Sequence, residues 1–83
     1  MRNISTVTNG VLAILGSATV APSDQDNITT LQAELRVLLR RASYSPPEAT
    51  EQLWISLGTS LYRYMPPLQP TGYTAQVAAL VTA

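Results

Sequence analysis

An 83-residue chain with five arginines, no lysine, five acidic residues and a formal net charge of zero lacks the basic excess of a general nucleic-acid binder. The absence of histidine and cysteine removes Ser–His–acid catalysis, thiol chemistry, disulfides and the usual zinc ligands, and without lysine a Ser–Lys pair is excluded too. Hydrophobic residues make up 46% and charged residues 12%, which is too apolar for a disordered tail and well below the roughly 25% charge of an ordinary soluble domain.

One small domain over residues 1–83 is the expectation, with a thin core. A chain of this size buries roughly 60–65% of the surface its unfolded form exposes. Low charge at zero net charge suits a solitary soluble protein poorly, so a protein partner or self-association is expected to cover part of the apolar surface.

Residues 1–21 form an apolar N-terminal arm. Arg2, the run from Gly10 to Gly16 and the small residues near Ala21 loosely resemble a secretory signal. Thr6, Thr8 and Asn9 interrupt it and one arginine is a thin basic region, so the arm is expected to be retained. The near-apolar stretch 10–21 is about a dozen residues, short of the ~20 a bilayer span needs. Two conformations compete here. Asn9-Gly10 between Thr6-Val7-Thr8 and Val11-Leu12-Ala13 is a two-residue hairpin signal. Val7, Val11, Ile14 and Leu15 instead share one helical face. Strand over 4–8 and helix over 10–18 are favoured, with Pro22-Ser23-Asp24 closing the piece.

The second piece predicts a helix over 29–42. Thr29 and Gln32 fit a capping box, and Ile28, Leu31, Leu35, Leu38, Leu39 and Ala42 form one apolar stripe. Arg40 and Arg41 fall near its C-terminal end, where cations favour the helix dipole. Ser45-Pro46-Pro47-Glu48 reads as a second capping box opening a helix over 46–65, with Leu53, Trp54, Leu57, Leu61, Tyr64 and Met65 on its apolar face. Gly58 within it suggests close approach of another backbone, and Pro66 stops it. The short connection near residues 43–45 predicts that the two helices form an antiparallel hairpin spanning 27–65. A Pro-rich connector, 66–72, leads to a C-terminal arm, 73–83. Tyr73, Val77, Leu80 and Val81 mark a helical stripe there, while Tyr73, Ala75, Val77, Ala79 and Val81 alternate as in a strand. The alanine content tilts the arm toward helix.

Little in the chain carries chemistry. Glu48 and Glu51 suit the first turn of a helix better than a paired-carboxylate site. Asp24-Gln25-Asp26-Asn27 has neither the glycine nor the distal glutamate of an EF-hand loop. Pro67-Leu68-Gln69-Pro70 matches a bare P-x-x-P, weak without an adjacent basic residue, and the Asn3 and Asn27 sequons bear only on a secreted protein. Arg36, Arg40 and Arg41 present a basic patch that can meet phosphate or an acidic partner, or can simply form a solvated face. Tyr62, Tyr64, Leu68 and Tyr73 complete a candidate partner-contact set, with tyrosine a common interface anchor.

The fold expected is thus mainly α, a helical hairpin with apolar terminal arms of open conformation. The function expected is a non-enzymatic structural or interaction subunit of a larger assembly, with a virion or phage capsid accessory protein as the concrete case. A small membrane-associated protein is one alternative. An adaptor binding an acidic partner or nucleic acid through Arg36, Arg40 and Arg41 is the other. No cofactor, metal or small-molecule substrate is expected.

Overall fold

A computed structural model of the chain describes residues 3–65 and 72–82, and these are mainly helical: α1 (Ile4–Ser17), α2 (Pro22–Tyr44), α3 (Thr50–Tyr64) and α4 (Tyr73–Thr82), with no strand among the described residues. Leu68 and the connector residues 66–71 lie outside them.

Residues 4–17 of the N-terminal arm form one continuous helix, which overturns the expected strand over 4–8 and the hairpin at Asn9-Gly10. Its start is set by Asn3, whose Oδ1 accepts the backbone N–H groups of Ser5 (2.9 Å) and Thr6 (3.2 Å), two donors that a helix N-terminus otherwise leaves unpaired. Its apolar face, Ile4, Val7, Val11 and Leu15, is buried. Tertiary packing on that face decides between helix and hairpin, and Gly10 has a role other than turning the chain. A Cβ built at Gly10 would lie 2.6 Å from Leu80 Cδ2, so the missing side chain is the seat into which α4 sets its leucine.

Helix α2 begins at Pro22, well before the expected start at Thr29. Proline at the first helical position loses only an N–H that has no intrahelical partner, and Asp24 in the first turn complements the helix dipole. The Thr29 capping box is therefore mid-helix, with the Thr29 hydroxyl facing Gln25 (Nε2 to Oγ1, 3.4 Å) one turn earlier. The second expected box is corrected as well. Ser45 ends α2 rather than opening α3: its backbone N–H donates to the Arg41 carbonyl (2.9 Å) and its hydroxyl donates to the same oxygen. Pro46 is extended, residues Pro47–Ala49 make a single 3₁₀ turn, and α3 starts at Thr50. Two consecutive prolines bar the preceding residues from helical dihedrals, so the chain reverses there and resumes the helix only after the 3₁₀ turn.

Helices α2 and α3 meet in reverse order: Arg41 reaches Ser56, while Glu34 meets Ser60 and Arg63. Helix α1 touches all three other helices, and α4 packs on α1. The core joins Ile4, Val7, Val11 and Leu15 of α1 to Ile28, Leu31, Leu35 and Leu38 of α2, Leu53 and Leu57 of α3 and Val77 of α4. Trp54, Leu61, Tyr64, Tyr73 and Leu80 pack around it, half-buried. The Thr8 hydroxyl is buried inside this core with no hydrogen-bond partner among the described residues, an arrangement that costs about 1–3 kcal/mol. Gly72 has φ +56°, a left-handed conformation that glycine adopts without a Cβ penalty, just where the chain turns into α4.

Gly58 does not do what the sequence suggests. Among the described residues no atom from outside its own helical turn lies within 4 Å of a Cβ built there, so no other described backbone approaches it. The two helical glycines therefore respond oppositely to alanine. Gly58→Ala is expected to stabilise the chain by about 1 kcal/mol through helix propensity alone. Gly10→Ala is expected to show no such gain, because the Leu80 methyl must be displaced. Urea unfolding of both variants, followed by circular dichroism, checks this, and equal gains at the two positions would contradict the Gly10 seat.

Candidate functional site

The long side of α2 that turns away from α1 meets α3 along an open groove of about 340 Å³. Glu34, Val37, Leu38 and Arg41 line it from α2, and Ile55, Ser56, Thr59 and Ser60 from α3. On α2 these positions recur at i, i+3, i+4 and i+7, one flank of the helix. The core stripe occupies the neighbouring flank, so one sequence pattern seats the pair on α1 and leaves this groove facing outward.

The groove is electrostatically two-ended. At one end Glu34 accepts a hydrogen bond from the Ser60 hydroxyl (2.8 Å) and lies 3.9 Å from the Arg63 guanidinium. The Ser60 hydrogen bond and then one from Tyr64 hold the Glu34 carboxyl below its ordinary range, opposed by burial and aided least by the Arg63 charge. With Arg63 59% and Glu34 33% exposed, the ion pair itself contributes little, within about 0–1 kcal/mol. At the other end Arg41 reaches only the Ser56 hydroxyl, at 3.5 Å, the outer limit of a hydrogen bond. Arg63–Glu34 is the one salt bridge among the described residues, so Arg41 has no carboxylate partner there.

Large apolar side chains are exposed on the same two helices. Val37 (45% exposed), Tyr44 (75%), Ile55 (55%) and Tyr62 (78%) are the exposed large hydrophobic residues of the described chain, and all four belong to α2 or α3. Val37 and Ile55 line the groove itself. Gly58 lies between Ile55 and Tyr62 on α3, itself exposed.

The candidate contact residues read from the sequence are dispersed. Arg41 lines the groove, but Arg36 and Arg40, one turn apart and exposed, do not. At about 100° per residue, Arg41 sits roughly 100° around α2 from Arg40 and 140° from Arg36, so the three do not make one patch. Tyr62 is exposed but does not line the groove, whereas Tyr64 and Tyr73 are half-buried and come together with Asp24, Asn27 and Arg63 around a second cleft of about 220 Å³. Burial, and then the Asp24 charge, raise the Tyr73 phenol above its ordinary 10.0. Val37 and Ile55 were missed. Each breaks the amphipathic pattern as a β-branched apolar residue off the core stripe, and that was the available signal.

Among the described residues no three carboxylates come together as a metal site, and no helix is long and apolar enough to cross a membrane. The apolar face of α1 that membrane insertion would use is buried in the core. Comparison with known proteins finds no match: no family model, no curated protein and no solved structure aligns significantly with the chain.

Because the folded state lowers the Glu34 pKa, it binds a proton less readily than the unfolded chain. The resulting stability is present above the ordinary value of 4.5 and is lost as pH falls through the lower folded value. Glu34→Gln is therefore expected to narrow the difference in melting temperature between pH 7 and pH 3. An unchanged difference would show that the Ser60 and Arg63 contacts do not stabilise the charged carboxylate.

Proposed function

We propose that the chain is a non-enzymatic interaction subunit of a larger protein assembly, and that the outward face of the α2–α3 pair is its contact surface. The observation that carries this reading is that the exposed large hydrophobic residues among the described ones, Val37, Tyr44, Ile55 and Tyr62, all belong to α2 and α3, with Val37 and Ile55 on the two walls of one groove. Exposed apolar side chains scattered singly need no explanation, but a contiguous set rimmed by polar groups marks an interaction site. The composition agrees, since zero net charge and few charged residues favour association over solitary solubility. Tyrosine and arginine, present here as Tyr44, Tyr62 and Arg41, are the residue types that most often anchor protein interfaces. A virion or phage capsid accessory protein is the concrete setting that this composition suggests.

Size fractionation of an extract from the native source, carrying the tagged chain, tests the reading. The chain is expected in fractions far heavier than its own 8.9 kDa, and Ile55→Asp combined with Tyr62→Ala is expected to shift it toward the light fractions. Elution at its own mass, or a heavy position indifferent to the double variant, would overturn the assignment.

A further inference from the structure

We infer that the occupant of the α2–α3 groove is the same groove of a second copy of this chain, the two related by a two-fold axis near Val37. The inference rests on the reading of this face as a contact surface and names its partner.

A two-fold interface is isologous: each surface position meets its counterpart from the other copy, so the patch must complement itself. This groove does. Its acid, Glu34, met by Arg63 only at 3.9 Å, stands at one end, and Arg41, without a carboxylate partner among the described residues, stands at the other, seven residues apart along α2 and thus about 10 Å along the axis. A partner laid across it in the opposite direction brings its Arg41 to this copy's Glu34 and its Glu34 to this copy's Arg41. Both pairs form at once, as electrostatic complementarity requires. A partner in the same direction would set like charges opposite each other.

The apolar residues agree with the same axis. Val37 lies between the two charges on the linear sequence and on the groove wall, so the axis brings it toward its own counterpart. Ile55 on the facing wall and Tyr44 and Tyr62 at the periphery then supply the apolar centre and aromatic rim of an ordinary interface. Net neutrality leaves no long-range repulsion between copies.

Light scattering behind a sizing column, over a concentration series of the purified protein, reads the mass directly. A discrete species at twice 8.9 kDa is expected, falling to monomer on dilution. Ile55→Glu is expected to give a monomer of unchanged helicity, since Ile55 lies outside the core, and Arg41→Glu to weaken the dimer at least tenfold. The cysteine-free sequence permits a geometric arm that no folding defect can mimic. Val37→Cys is expected to oxidise to a disulfide-linked dimer, while Ala78→Cys, exposed on α4, is not. A wild-type monomer at every concentration overturns the inference, as does a dimer indifferent to Ile55→Glu and Arg41→Glu or equal cross-linking at both cysteines. If the purified chain is monomeric yet travels in heavy fractions of its native extract, the pairing fails and the assembly reading stands. If it is light in both, both fall.

Discussion

Everything in this molecule depends on α1 lying against the inner faces of the other helices. Two amphipathic helices of the length of α2 and α3 expose, between them, more apolar stripe than they can bury on each other, and each stripe must be covered by some other element. Helix α1 supplies that cover. Val11, wholly buried, and Leu15 come from α1 to join Leu31, Leu35 and Leu57, and the opposite edge of α1 receives Leu80 at Gly10. The terminal segments are therefore structural members of the core rather than appendages to a hairpin, and α4 is held through α1.

Once α1 occupies the inner faces, the geometry of α2 and α3 leaves their outer flanks facing water. In a chain with so few charged residues, those two helices expose Val37, Tyr44, Ile55 and Tyr62. The groove between them holds Glu34, beside Arg63, toward one end and Arg41 toward the other, with Ser56, Thr59 and Ser60 along the α3 wall. Core and proposed contact surface thus arise from the same two helices, and strengthening one need not weaken the other.

How much of this was legible follows from the kind of signal each element carries. The apolar stripes of α2 and α3 were plain, because Ile28, Leu31, Leu35 and Leu38 and then Leu53 and Leu57 repeat at the helical period and are buried as that period requires. The boundaries were not. Thr29 and Ser45 each matched a capping box, but local motifs do not record whether the helix is already running, as at Thr29, or ending, as at Ser45. Pro22 with Asp24 was a start signal read as a stop, and Asn3 was a cap overlooked beside the more conspicuous Asn9-Gly10. Gly10 could not be resolved locally at all, since its reason is Leu80, seventy residues away. For the candidate site, helical spacing separates Arg41 from Arg36 and Arg40, but only the packing of α3 shows which flank of α2 borders a groove.

A dilution series of amide correlation spectra on the isotope-labelled protein tests the central claim, that one side of the α2–α3 pair is satisfied within the chain and the other by association. The account predicts helical chemical shifts for Ile4–Ser17 at every concentration, with concentration-dependent shifts confined to α2 and α3 around Val37, Arg41, Ile55 and Thr59. Loss of helical shifts in α1 on dilution, or concentration-dependent shifts centred on α1 and α4, would contradict it, because the core would then belong to the assembly and not to the chain.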